Sequence, residues 1–212
     1  MRKSESIRVV DHPVVQHHMT RLRDASTSPA EFRQLVHRIA TLLASAATED
    51  LQLRETRVKT PLTETAAREL SERIGLIPIL RAGLGLVDPL LDLLPSAEVW
   101  HLGLFRDEET ALPVEYYRKL PRTNPVDVAL VVDPMLATGG SAMLALDVMR
   151  QWGVRKTKLV ALIAAPEGVA AVHSRFPETQ IVVAAVDECL NEQSFIVPGL
   201  GDAGDRQFNT LR

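Results

Sequence analysis

The sequence has little of the chemistry that marks secreted, membrane-bound or nucleic-acid-binding proteins. Its 212 residues include one cysteine, Cys189, which excludes an intrachain disulfide framework and a cysteine-rich zinc site and is typical of a reducing compartment. No apolar run approaches the roughly 20 residues of a membrane-spanning helix, and the polar segment 1–6 leads into no apolar core, so we expect no signal peptide. With 24 Lys and Arg against 27 Asp and Glu, the net charge of −3 lacks the basic excess typical of nucleic-acid binding. We therefore expect a cytoplasmic protein that binds neither nucleic acid nor membrane.

The length and the 46% apolar content suit one domain, 1–212, with a sizeable core. Two changes in residue pattern divide it. We expect residues 1–60 to form an N-terminal helical arm used in self-association, 74–186 an α/β core, and 187–212 an ordered segment over one end of the core.

The arm contains one strong helix signal. Ser28 and Glu31 form a capping box, with Pro29 at the first helical position. Apolar residues then recur at steps of three and four, as on the buried side of an amphipathic helix: Phe32, Leu35, Val36, Ile39, Leu42 and Leu43. The same spacing recurs more weakly at Val15, Met19 and Leu22. Residues 51–60 are polar and roughly alternating, which predicts an exposed extended segment.

The core alternates short apolar runs with amphipathic stretches. The predicted strands are Ile74–Leu80, Val99–Phe105, Val128–Val132, Leu159–Ala164 and Ile181–Val186. The predicted helices are Leu84–Leu94, Ser141–Trp152 and Glu167–Phe176. This alternation predicts a parallel sheet covered on both faces, with ligands bound beyond the carboxyl ends of the strands.

The strongest local signal follows the strand 128–132. The strand ends in Asp133, and a loop then reaches Thr138-Gly139-Gly140-Ser141 before a helix. Backbone N–H groups at a helix N-terminus, with glycines and hydroxyls beside them, form a phosphate cradle, and Asp133 is suited to bind ribose hydroxyls. No Gly-Lys-Ser/Thr follows, so an ATP-hydrolysing P-loop is disfavoured. An ordinary capped strand–helix turn is the alternative.

Two arginines stand at predicted strand ends. Arg81 precedes Gly83-Leu84-Gly85, which lacks the third glycine of a dinucleotide loop, and we reject a nicotinamide site on that ground. Arg106 opens a charged stretch, 106–121, that we interpret as a structureless lid or binding loop rather than a solvated charged hairpin. A guanidinium is suited to phosphate or pyrophosphate.

The last unusual loop, 195–206, has three glycines among two aspartates. Such a backbone-rich surface can bind the edge of a small planar base, and the spacing does not say which base.

These four loops, in this order, resemble the uracil phosphoribosyltransferase family. The matching segments are Ile-Leu-Arg-Ala-Gly-Leu-Gly (79–85), Arg-Asp-Glu-Glu-Thr (106–110), Val-Asp-Pro-Met-Leu-Ala-Thr-Gly-Gly-Ser (132–141) and Pro-Gly-Leu-Gly-Asp-Ala-Gly-Asp-Arg (198–206). Asp11-His12-Pro13 with Gln16-His17, and residues 164–168, are similar to the same family. The resemblance implies a parallel-sheet, Rossmann-like phosphoribosyltransferase core with a C-terminal hood. It also implies transfer of phosphoribosyl from phosphoribosyl pyrophosphate (PRPP) to N1 of uracil, giving UMP and pyrophosphate, with Mg²⁺ as cofactor.

The resemblance also implies residue roles. Arg106, Asp133 and Asp202 are the expected catalytic residues. PRPP is expected to contact Arg81, Arg106, Asp133, Pro134, Met135, Leu136, Ala137, Thr138, Gly139, Gly140, Ser141 and Asp202. Uracil is expected to contact Ile196, Gly201, Asp202 and Ala203. Pro134 stands where many relatives in the wider superfamily have a second acid, so the metal is expected to rest on pyrophosphate and water rather than on paired carboxylates. Whether any protein group ligates it directly is left open.

Several positions depart from the family pattern or leave alternatives open. Phe105 and Phe195 replace frequent tyrosines, and Gln193 and Ser194 replace a basic residue and glycine. Loss of a phenol removes one hydrogen-bonding group but keeps the ring surface, and the effect on base affinity is left open. A non-catalytic sensor of uridylate or PRPP, and a phosphoribosyltransferase for another base, are the rival functions. GTP as an effector, and a dimer or a tetramer as the assembly, are left open.

We interpret Cys189 as a buried structural thiol. We interpret three histidines as surface or oligomer contacts rather than zinc ligands: His12, His17 and His18.

Overall fold

The computed structural model describes residues 7–106 and 113–210. The helices are α1 (Pro13–Arg23), α2 (Pro29–Thr48), α3 (Val87–Leu93), α4 (Gly140–Trp152), α5 (Pro166–Arg175) and α6 (Ala203–Phe208), with a 3₁₀ helix at Ala82–Leu86. The strands are β1 (Ile7–Val9), β2 (Leu53–Lys59), β3 (Glu64–Leu70), β4 (Ile74–Leu80), β5 (Glu98–Val99), β6 (Leu102–Arg106), β7 (Pro113–Arg118), β8 (Val128–Val132), β9 (Met135–Leu136), β10 (Lys156–Ala164), β11 (Gln180–Val186), β12 (Cys189–Leu190) and β13 (Ile196–Val197).

The main sheet runs in the order β1-β11-β10-β8-β4-β6-β7, with β5 on β4 and β9 on β10. All of these pairs are parallel except β6–β7. The central strand β8 is buried at every residue, as expected for a parallel strand covered on both faces. The predicted parallel α/β sheet is therefore confirmed, with the expected strand 99–105 divided into β5 and β6.

The two faces of the sheet carry separate apolar cores. Val128, Leu130 and Val132 of β8 pack with helices α1 and α2 on one face. Ala129 and Val131 point to the other face, against α4 and α5. This alternation follows the two-residue period of a strand. Each helix layer therefore has its own half of the sheet to bury.

The N-terminal helices form part of the body of the protein. The Ser28 hydroxyl accepts from the backbone N–H of Glu31 (3.3 Å), which confirms the predicted start of α2. Phe32 and Ile39 are fully buried in the core above the sheet. Residues 13–48 thus form two helices that cover a face of the sheet. The extended segment predicted at 51–60 is β2 of an exposed β2–β3 hairpin.

Two predictions are wrong. Residues 113–118, expected in a structureless lid, form β7, which pairs antiparallel with β6 and makes a hairpin. Residues 107–112, the rest of the expected lid up to β7, lie outside the described residues. Cys189, expected to be a buried thiol, is exposed, because the short strand β12 lies at the protein surface.

The segment predicted as one helix, 84–94, is a 3₁₀ helix followed by α3. Among the described residues, no helix has both the length and the apolar character needed to cross a membrane.

Candidate functional site

Three predicted site residues lie at the ends of neighbouring strands. Asp133 follows β8, Arg81 follows β4, and Arg106 is the last residue of β6. Because β8, β4 and β6 are adjacent and parallel, their carboxyl ends lie along one edge of the sheet. This is the edge at which open α/β sheets bind ligands.

The loop after β8 forms a small pocket of about 80 Å³ at this edge. Its lining contains the predicted phosphate-binding residues Asp133, Met135, Leu136, Ala137, Thr138, Gly139, Gly140 and Ser141, together with Ala142. Pro134 is buried and does not line the pocket. Its carbonyl oxygen accepts from the backbone N–H groups of Leu162 (2.9 Å) and Ile163 (3.2 Å), which fixes the loop to β10. We call residues 133–142 the cradle.

Two glycines give the cradle its shape. Gly139 has φ +83° and caps α4, a conformation that a residue with a side chain rarely adopts. Gly168 of α5 packs against the loop so closely that a Cβ there would lie 2.3 Å from the carbonyl oxygen of Ala137. The first N–H groups of α4 have no acceptors within the helix. The pocket thus lies at the positive end of a helix dipole, lined by backbone donors and by the hydroxyl-bearing residues Thr138 and Ser141.

Asp133 has unusual electrostatics. Burial raises the pKa of its carboxyl to about 7, a hydrogen bond from the Met135 backbone opposes this shift, and the nearby negative charge of Asp202 raises the pKa further. Two carboxylates therefore lie within electrostatic range of each other. A perturbed carboxyl beside an anion-binding loop is typical of a functional site.

Arg81 lies between the strand edge and the C-terminal segment. Its guanidinium is largely exposed, and Nη2 lies 3.8 Å from Oδ1 of Asp205 in α6. The peptide bond Leu80–Arg81 is cis. Because the Arg81 guanidinium is largely exposed, it is available to an anionic ligand at this edge of the sheet.

The C-terminal segment 187–208, which we call the hood, contains β12, β13 and α6. Asp202 caps α6, its Oδ1 accepting from the N–H of Asp205 (2.9 Å). Ile196 and Ala203 are buried, whereas Gly201 is exposed with φ +75°. The effect of Asp202 on the pKa of Asp133 places the start of α6 near the cradle. The structure therefore brings the predicted base-binding segment close to the predicted ribose-binding carboxylate.

Sequence reasoning missed a buried ion pair that anchors the hood. Arg23 of α1 binds both oxygens of Asp187, at 2.7 and 2.5 Å, and donates to the carbonyl oxygen of Gly199 at 2.7 Å. Asp187 Oδ2 also accepts from the N–H of Gly199 (2.9 Å). Asp187 follows the buried strand β11 as Asp133 follows β8, and that shared position is a signal that could have identified it. Nothing in the local sequence of Arg23 indicates its partner, 164 residues away.

Arg206, the last residue of the motif 198–206, has a structural role. Its buried guanidinium donates to the carbonyl oxygens of Leu22 (2.7 Å), Leu200 (2.8 Å) and Asp24 (2.6 Å). It also lies 4.4 Å from the ring centroid of Phe32, a cation–π contact. Burial lowers the pKa of Arg206, and Asp24 opposes the shift. These contacts fix α6 to the N-terminal helices.

One of the three N-terminal histidines, His12, makes a structural hydrogen bond. His12 caps α1, its Nδ1 accepting from the N–H of Val14 (3.1 Å). Within residues 7–106 and 113–210, no three His, Cys, Asp or Glu residues are grouped as a metal site would require.

Comparison with known proteins agrees with this arrangement. The family model described as uracil phosphoribosyltransferase matches residues 9–210. A uracil phosphoribosyltransferase of Roseiflexus sp. (strain RS-1) is 55% identical over 204 residues, covering 96% of this chain and 98% of that protein. The solved structure of the AQ2163 protein from Aquifex aeolicus aligns with a TM-score of 0.90 at 37% identity, covering 95% and 97% of the two chains. The adenine phosphoribosyltransferase of Leishmania donovani shares the fold alone, with a TM-score of 0.61 at 14% identity over 92% of this chain and 89% of that one. The chain belongs to the uracil phosphoribosyltransferase family.

Proposed function

We propose that this protein transfers the phosphoribosyl group of PRPP to N1 of uracil, forming UMP and pyrophosphate. One observation carries the proposal: a partly buried carboxylate with a raised pKa, Asp133, lies at the start of the cradle and within electrostatic range of Asp202 in the hood. Ribose hydroxyls, a phosphate and a base require such an order of groups. Family membership supports the same reaction.

The cradle is proposed to bind the 5′-phosphate. The backbone N–H groups at the start of α4 and the hydroxyls of Thr138 and Ser141 supply donors without a formal charge. Asp133 accepts from the two vicinal ribose hydroxyls, which favours its ionised form. Together these groups fix the sugar so that its anomeric carbon is presented for in-line displacement.

Arg81 and Arg106 are proposed to bind pyrophosphate. Bond breaking leaves negative charge on the leaving group and positive charge on the sugar, so no protein nucleophile is required. Guanidinium groups fixed beforehand stabilise the leaving group as its charge develops. Asp202, in the hood, is proposed to lie near the PRPP–metal end of the site.

The residues fit Mg²⁺ in one respect. Asp133 and Asp202 bring two carboxylates within range of each other, and oxygen ligands are those that Mg²⁺ prefers. We propose that Asp133 and Asp202 would hold Mg²⁺ together with PRPP. When bound, Mg²⁺ neutralises charge on the pyrophosphate.

Uracil is proposed to bind main-chain groups of Ile196, Gly201 and Ala203. A planar base with adjacent donors and acceptors is suited to pair with main-chain N–H and C=O groups. Phe195 is half exposed and offers a ring surface without a hydroxyl. Base selectivity is therefore proposed to come from the backbone.

The hairpin β2–β3 is proposed as the contact for self-association. It exposes Leu53, Val58 and Leu62, the last of them almost completely, and a second copy of the chain would bury this apolar surface on association. Light scattering after size exclusion measures the assembly, and Leu62→Glu should reduce its mass.

The test is formation of UMP from labelled uracil, PRPP and Mg²⁺. Competition among uracil, cytosine, hypoxanthine and orotate should show preference for uracil, and added GTP tests its action as an effector. PRPP binding without turnover would instead favour the regulator, an alternative that no observation supports.

A further inference from the structure

Gln207, in the last turn of α6, is almost completely buried and touches both substrate loops. Its Nε2 donates to the carbonyl oxygen of Ala82 at 3.1 Å and to that of Ala203 at 3.1 Å. Ala82 adjoins Arg81, proposed to bind pyrophosphate, and Ala203 is proposed to bind uracil. One amide group therefore bridges the two loops.

The other end of the amide is closely confined. Gln207 Oε1 lies against Gly85, where an added Cβ would be 1.6 Å away. Among the described residues, nothing donates a hydrogen bond to this buried oxygen. Leaving a buried acceptor unpaired is unfavourable, because the oxygen loses its hydrogen bonds to water and gains none from the protein. The Gln207 side chain thus makes both hydrogen bonds of its Nε2 group and leaves Oε1 without a donor. Its position is therefore fixed by the two carbonyl groups that it binds.

The rest of the helix gives the bridge a fixed support. Arg33 of α2 donates to the Gln207 carbonyl oxygen at 2.7 Å, and Arg206 fixes the preceding turn to the N-terminal helices. The exposed Arg81–Asp205 pair is a second link between the same loops, but exposed pairs contribute little. The buried amide is therefore the main link between them.

We propose that Gln207 is a positioning residue that couples the binding of uracil and pyrophosphate. This inference rests on the proposed function, because it needs the assigned roles of the two loops. Either ligand restricts the loop that it binds, and the shared amide passes that restriction to the other loop. The second ligand then binds to a loop already ordered, so each ligand increases affinity for the other.

Uracil with Mg²⁺-pyrophosphate tests this without reaction, because no ribose is present. The ratio of uracil dissociation constants without and with pyrophosphate, from calorimetry, is expected to be fivefold or more for the wild type. Gln207→Leu keeps the volume but removes both donors, and its ratio should fall to within twofold of one. A wild-type ratio near one, or an unchanged ratio in the variant, would overturn the inference.

Arg33→Met is the matched control. It removes the tether between α6 and α2 without touching Ala82, so it should lower Tm while keeping the wild-type ratio. Gly85→Ala gives independent evidence, because its methyl group displaces the Gln207 amide without changing the amide. This variant should lose the ratio as well, and it decides the matter if Gln207→Leu does not fold. Equal loss of the ratio in Arg33→Met, or a retained ratio in Gly85→Ala, would contradict the proposal.

The UMP assay distinguishes failure of the proposed coupling from failure of the proposed reaction. Wild-type protein that forms UMP but shows a ratio near one retains the proposed function and lacks the coupling. Protein that shows the ratio but forms no UMP has the coupling and lacks the proposed activity.

Discussion

The cradle and the hood approach the same edge of the sheet but are built differently. The cradle is one uninterrupted segment, 133–142, between a strand and the helix that follows it. The hood depends on partners far away in sequence, with Arg23 binding Asp187 across 164 residues and Arg206 binding Leu22 across 184. The geometry of the cradle is therefore set locally, whereas the position of the hood, which is proposed to bind the base, is set by contacts across the whole fold.

The cradle side is expected to give the largest effect on rate. Asp133→Asn keeps the shape but loses the acceptor charge beside the ribose, and kcat/KM should fall about 10²–10³-fold, the range for a preorganised polar group. Stability should be unchanged or increased, because the variant removes a carboxyl whose ionisation is disfavoured by burial. Steady-state kinetics and urea unfolding measure the two effects, and near-normal turnover would refute the assignment.

The hood side should show the opposite balance. Arg23→Met leaves the buried Asp187 charge unpaired and frees the Gly199 carbonyl. Because breaking a buried ion pair costs about 3–5 kcal/mol and Arg23 is partly exposed, we expect a loss of about 3 kcal/mol in unfolding free energy. The KM for uracil should rise more than that for PRPP.

The matched control for Arg23→Met is Arg8→Met. It breaks an exposed ion pair with Glu49 at the C-terminal end of α2. It should change stability by less than about 1 kcal/mol. Equal rises in both KM values for Arg23→Met would show that the anchor does not act on the hood alone.

Asp133 of the cradle should make both stability and PRPP affinity depend on pH. The raised pKa of Asp133, about 7, means that the folded protein binds more protons than the unfolded chain between about pH 4 and 7, so this group lowers stability as pH rises through that window. Ribose hydroxyls require the ionised form, so PRPP affinity should instead increase with pH, by at most about tenfold per unit below pH 7. Calorimetry in buffers of different ionisation enthalpy should detect proton release on binding, and Asp133→Asn should abolish it.

The difference between the regions also explains what could be predicted from the sequence. The strand ending in Asp133 and the glycines at 139–140 place the cradle because their partners are neighbours in the chain. The residues of the hood motif could be named, but not Arg23 or Gln207, because their partners Asp187 and Ala82 lie far away in the sequence. The hairpin strand at 113–118 was missed because its charged residues favoured a loop. Pairing with β6 overrode that local preference.

The smallest expected effect comes from the exposed link between the regions, Arg81–Asp205. Asp205→Asn keeps an oxygen to accept from the Thr210 hydroxyl (2.6 Å) but removes the negative charge 3.8 Å from Arg81. Stability should change by less than about 1 kcal/mol, as for other exposed pairs. Since Asp205 competes with pyrophosphate for Arg81, KM for PRPP should fall, by no more than about fivefold, the ratio that 1 kcal/mol allows. Thr210→Val, which keeps the charge and loses the hydrogen bond, should leave KM unchanged. A rise in KM for Asp205→Asn would mean that the carboxylate orients Arg81 rather than competing for it, and the hood would then contribute directly to the pyrophosphate site.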